Sequence, residues 1–181
     1  MVVDRSGRRR RQLLAVLREA SGPVRGSDLA ARLGVSRQVI VGDVAVLRAE
    51  GHLVVGTPQG YLLLDAPAPG PRAVLAVRHT REQARTELNA LVDLGITVED
   101  VVVEHPLYGE LRGNLMIATR RDVERFLASL EEQGAQLLSA LTDGVHLHTV
   151  RAPTEEALAR AREVLRREGF LLPSSAPGGA S

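Results

Sequence analysis

The stretch Leu29-Ala30-Ala31-Arg32-Leu33-Gly34-Val35-Ser36-Arg37-Gln38-Val39-Ile40 decides how the first third of the chain folds. Leu29, Ala30 and Leu33 recur at helical spacing, and Gly34 ends the run because it accepts the left-handed conformation that closes a helix. Ser36 offers its hydroxyl to the free N–H groups of a new helix over residues 37–50, which closes on Gly51. In that helix Ile40, Val44 and Leu47 repeat at four and three residues and face inward. Two helices joined by so short a turn must cross, and the N-terminal end of the second then projects outward.

Working outward, Leu13, Val16, Leu17 and Ala20 predict an amphipathic helix over 8–20, ended by Ser21-Gly22-Pro23. Ser27 or Asp28 is the expected cap of the helix that carries Leu29. After Gly51, the runs 53–55 and 61–64 flank Gly56-Thr57-Pro58-Gln59-Gly60 and read as a hairpin. Stretch 29–40, followed by Asp43, Leu47-Arg48 and Gly51, closely resembles the winged helix-turn-helix of biotin-repressor-like regulators. The resemblance implies double-stranded operator DNA as a partner and a homodimer, since paired recognition helices meet successive major grooves. Arg37, Gln38 and Val41 lie opposite the inward positions and are the expected DNA-facing residues, together with Ser36 at the helix start. Arg37 and Gln38 can read guanine and adenine edges or hold phosphate. Gly42 departs from the larger polar side chain usual at such a position, and it weakens the helix or lets backbone approach DNA.

Charge supports this division of labour. Residues 1–60 hold ten arginines against five acids, and residues 61–181 hold 13 against 17. The basic end can meet phosphate; the other need not. All 23 basic residues are arginine, and no cysteine is present, which excludes thiolate metal sites and leaves histidine and carboxylate as strong ligands. No secretory or membrane-spanning run occurs, so a cytoplasmic location and no membrane partner are expected. Three prolines and a glycine in residues 66–72 mark a linker between domains at 1–65 and 73–172, and 173–181 reads as a disordered tail.

Residues 73–172 predict strands at 73–77, 98–104, 113–118 and 145–150, with helices at 81–94, from Thr119 through Glu132, and after Thr154. The order βαββαβα implies an antiparallel or mixed sheet with helices on one face, so the whole chain is of the α+β class. In the last strand His146 and His148 share a face because side chains alternate, and two imidazoles so placed can chelate one ion. His79, at a strand end, and Glu87, on the following helix, could complete a His/Glu set.

His79, Glu87, the run Glu104-His105-Pro106-Leu107-Tyr108-Gly109-Glu110-Leu111-Arg112-Gly113 and Gly144-Val145-His146-Leu147-His148-Thr149 resemble the three-histidine (3H) sensor domain of niacin-responsive transcription repressors. That resemblance implies a fold similar to the histidine-containing phosphocarrier and one divalent transition metal, nickel, zinc or iron, on His79, Glu87, His146 and His148. It also implies nicotinic acid as co-repressor of genes for NAD synthesis or salvage, or for niacin uptake. A pyridine carboxylate needs a flat contact and a cation, for which Tyr108 and Arg112 are candidates, with His105 and Glu110 beside them in a loop facing the metal. A repressor that senses the metal itself is the nearest rival. Phosphotransfer at His79-Thr80-Arg81 is a third class, weakened because a metal-bound imidazole is no free nucleophile. Enzyme chemistry is not expected, since neither a Gly-rich nucleotide loop nor a lysine nucleophile is present.

Overall fold

A computed structural model of the chain describes residues 5–64 and 69–173. It divides into two units, Met1–Ala68 and Pro69–Ser181. The first contains α1 (Arg5–Glu19), α2 (Gly26–Leu33), α3 (Arg37–Ala49), β1 (Val54–Thr57) and β2 (Gly60–Leu63). Ser36 caps α3 as its position predicts, its hydroxyl accepting the Val39 N–H at 3.3 Å, and Gly34 takes φ 63° at the end of α2. Ile40, Val44 and Leu47 are buried with Leu13, Leu17 and Leu29 in one core. The cap of α2 differs from expectation. The helix starts after Arg25, whose carbonyl receives the N–H groups of Asp28 and Leu29, so Ser27 and Asp28 lie inside the first turn and cap nothing.

Arg9 on α1 reaches the buried Asp43 of α3 with two nitrogens, at 2.5 and 3.0 Å, and this fork fixes one helix on the other. The wing is antiparallel, pairing Gly56 with Tyr61. Val24 extends it, exchanging two backbone hydrogen bonds of 2.8 Å with Tyr61.

The second unit contains β3 (Arg72–Arg78), α4 (Ala84–Val92), β4 (Thr97–His105), β5 (Gly109–Ile117), α5 (Arg120–Glu132), a 3-10 segment (Leu138–Thr142), β6 (Val145–Arg151) and α6 (Glu155–Arg167). Its four strands lie in the order β3-β6-β4-β5 and every pairing is antiparallel. Leu75, Val77, Val98, Ile117 and Val150 of the sheet share one core with Leu88 and Leu91 of α4, Val123 of α5 and Leu158, Ala161 and Leu165 of α6. Thr119 forms the expected capping box with Asp122, and Thr154 accepts the Ala157 N–H at 3.2 Å.

Three expectations shift. The strand expected at 113–118 begins at Gly109, so the stretch read as a loop is mostly ladder, with Glu104 opposite Glu110 and His105 opposite Gly109. The regular part of the helix expected at 81–94 is α4, preceded by a turn in which Gln83 Oε1 accepts the Thr80 N–H at 2.9 Å. Residues 65–68 and 174–181, including three of the seven residues of the expected linker and all but one of the expected tail, lie outside the described residues. Arg72, also assigned to the linker, opens β3, and the carbonyl of Pro71 just before it accepts the Ala152 N–H at 2.9 Å.

Candidate metal centre and DNA-binding face

β6 is flanked by β3 and β4, and its register puts His146 opposite Val77 and His148 opposite both Leu75 and Val101. Both imidazoles therefore point to the helix-covered face. His79 follows directly on β3, and Glu87 on α4 comes down over the same point. All four side chains are buried, Glu87 to 1% exposure. His79 Nε2 lies 3.0 Å and His148 Nε2 3.3 Å from Glu87 Oε2, while His146 Nε2 and His148 Nε2 are 3.1 Å apart.

The opposite ring nitrogens settle the tautomers. His79 Nδ1 donates to the Thr80 carbonyl at 2.7 Å, His146 Nδ1 to Gly144 at 2.8 Å and His148 Nδ1 to Asp100 at 2.8 Å. A carbonyl oxygen can only accept, so each Nδ1 carries a proton and each Nε2 is turned inward, where it offers a lone pair once the ring is neutral. Gly144 is held for this purpose. At φ 87° a Cβ there would stand 2.3 Å from the His79 carbonyl oxygen, so only glycine can present its own carbonyl to His146 so close to His79.

Charge completes the picture. Burial drives His146 down to about 4, with His148 adding repulsion, so this ring is neutral. Burial also opposes charge on His148 and His79, yet Glu87 outweighs it and raises both. Glu87 itself would be pushed up by burial, but His148 and His79 hold it well below the usual carboxylate range.

The donor set fits a divalent transition metal. Ligand atoms of His79, Glu87 and His146 all lie within 4.8 Å of one another, His148 Nε2 adjoins two of them, and Glu87 Oε1 is buried with no hydrogen-bond partner. The buried Glu87 Oε1 has no donor to satisfy it, and a cation among these atoms would meet it together with the Nε2 atoms. A metal must displace the protons that Glu87 stabilises on His79 and His148. Affinity for nickel or zinc is accordingly expected to fall as pH drops below the raised histidine values and to level off above them. Metal titration across pH checks this; a flat profile would contradict the charge assignment.

The hairpin residues are placed differently. His105 Nδ1 accepts the N–H groups of Leu107 and Tyr108 at 3.2 and 3.3 Å, and the Tyr108 ring lies 5.0 Å from the His105 ring with 69% of the residue exposed. Glu110 is exposed in the ladder opposite Glu104. No described hydrogen bond, ion pair or ring contact joins His105, Tyr108 or Glu110 to the four buried residues. Arg112 is bonded to Asp100, whose carboxylate also takes the Thr149 N–H at 3.1 Å and whose carbonyl orients His148. Asp100 escaped the sequence reading: it follows Glu99 in β4, and nothing local marks which of the two acids is buried.

In the first unit, Ser36, Arg37, Gln38 and Val41 are exposed, opposite the buried Ile40, Val44 and Leu47. A Cβ on Gly42 would meet nothing within 4 Å, so this position too is open to the outside.

Residues 72–174 match the 3H domain family and residues 9–62 an HTH domain family. Over 91% of its length the chain is 41% identical to transcription repressor NadR of Bacillus subtilis (strain 168), of which it covers 93%. It is 40% identical to the probable transcription repressor NiaR of Thermotoga maritima, again over 91% of the chain and 93% of the relative. The chain belongs to this family of 3H-domain transcription repressors. As a 3H repressor with an N-terminal HTH domain it is a DNA-binding regulator and not an enzyme, and its buried His/Glu cluster lies inside the 3H domain. Among the described residues no helix is long and apolar enough to cross a membrane.

Proposed function

We propose that this protein is a ligand-responsive repressor: one metal ion on His79, Glu87, His146 and His148 completes the 3H domain, and nicotinic acid acts as co-repressor for genes of NAD synthesis or salvage or of niacin uptake. The observation that carries the reading is the convergence of three Nε2 atoms and a buried carboxylate, each ring aimed by a backbone carbonyl. A bound nickel, zinc or iron ion would supply a fixed positive charge beside the ligand. The protein's own part is to hold the rings, exclude water and present an anion-attracting surface. Arg112 reaches the site through Asp100, and with Tyr108, His105 and Glu110 it makes the hairpin one candidate grip for the ligand.

The DNA-facing residues are Ser36, Arg37, Gln38 and Val41 of a homodimer, with the two recognition helices set to operator spacing when ligand binds. The test is operator binding by the metal-loaded chain with nicotinic acid or nicotinamide. Tighter binding with the acid alone upholds the reading; a response to metal removal with no effect of the acid favours a metal-responsive repressor. Gly42→Ala bears on the DNA face: it is expected to stabilise the first unit by about 1 kcal/mol, measured by urea unfolding. Operator affinity should fall only if backbone at Gly42 closely approaches the DNA.

A further inference from the structure

An open cavity of about 630 Å³ lies beside the metal centre, between the β3–α4 turn and the 3-10 segment. His79 and Gly144 belong to its wall, so it reaches the one candidate ligand that stands outside both strand and helix; Glu87, His146 and His148 do not line it. Its size lies within the range of pockets that hold small organic ligands. Leu137 and Ala140 provide apolar wall, Gln83 and Gln136 neutral amides, and Arg78 and Arg81 positive charge.

The two arginines are bonded to backbone carbonyls. Arg78 Nε donates to the Asp143 carbonyl at 3.3 Å and Arg81 Nη1 to the Ala135 carbonyl at 3.4 Å. Among the described residues neither makes a salt bridge, although Glu82 feels the charge of Arg81 through space and Asp143 also lines the cavity. Arg112, by contrast, already neutralises the buried Asp100, and drawing it to a ligand would leave that carboxylate without its cation. Guanidinium groups that hold only carbonyls keep donors to offer a carboxylate.

We propose that this cavity is the effector site of the 3H domain and takes a small planar carboxylate, held by Arg78 and Arg81 with its ring against Leu137 and Ala140. The placement rests on the ligand-responsive reading above and moves the grip from the hairpin to the β3–α4 turn and the 3-10 segment. It also gives ligand a route to the centre through His79, whose backbone joins the cavity wall to β3.

Calorimetric titration of the metal-loaded full chain with nicotinate and with benzoate tests it, using wild type, R78Q/R81Q and R112Q, with metal content measured for each. Both cavity positions are exposed, so the double variant should fold and keep its metal. The expected result is nicotinate binding that weakens at least about 30-fold in R78Q/R81Q and less in R112Q. Equal nicotinate affinity in wild type and R78Q/R81Q would overturn the cavity assignment while leaving the effector reading intact. Binding of benzoate but not nicotinate, lost in R78Q/R81Q, would uphold the cavity and overturn nicotinate as effector. Binding of neither would overturn both.

Discussion

Replacing His146 and His148 together by alanine is expected to lower affinity for nickel or zinc by more than about 100-fold. Loss of groups that merely orient a ligand already costs 10- to 100-fold, and here two ligands go at once. Of the four donors only His79 and Glu87 would remain, 3.0 Å apart, and a protonated His79 satisfies Glu87 without any metal. The variant should keep its sheet, because β6 pairs with β3 and β4 through backbone and stays anchored by Val150 in the core. Metal content after gel filtration, with circular dichroism on the same samples, reads the outcome. Retention of one metal per chain would mean that the cluster is only a buried proton-sharing network.

Leu47→Ala is expected to destabilise the DNA-binding unit by about 2–5 kcal/mol. Leu47 is 1% exposed and sits in the core that joins α1, α2, α3 and β1. That loss is a large part of the stability a small domain possesses. Leu47 is on the inward face of α3, so the exposed side chains proposed to face DNA are untouched, and any fall in operator affinity would come from unfolding. Hydrogen exchange should show faster exchange across residues 5–64 and little change across 69–173, since the two cores are separate. Protection lost equally in both units would contradict that separation.

The local signals in the sequence translated well where a single side chain does the work. Ser36, Thr119 and Thr154 cap helices because each hydroxyl precedes an amphipathic run and meets the N–H three residues on. The alternation of β6 placed both histidines on one face, and helical spacing placed Glu87 above them. Features that depend on distant backbone were not legible. The start of α2 is set by the Arg25 carbonyl, not by the hydroxyl or carboxylate nearby. The run from His105 to Arg112 looks like a polar loop, yet most of it is strand because cross-strand pairing with β4 overrides its composition. The 3-10 segment has no periodicity to find, and without it neither the cavity nor the roles of Arg78 and Arg81 can be seen. Arg9 finding Asp43 across 34 residues is equally a tertiary fact.

The strand order has a consequence for how the molecule is made. β3 and β4 emerge early from the ribosome but are not neighbours; β6, late in the chain, lies between them. Until it arrives, β4 and β5 can form only a hairpin and β3 has no partner within the sheet. The DNA-binding unit, built from nearby segments, can fold during synthesis, whereas the 3H domain must wait for one central strand that brings both its hydrogen-bonding edges and two residues of the His/Glu cluster. In the nascent chain the HTH domain is thus complete before the His/Glu cluster exists, and a metal ion met before that strand is made finds no cluster to enter.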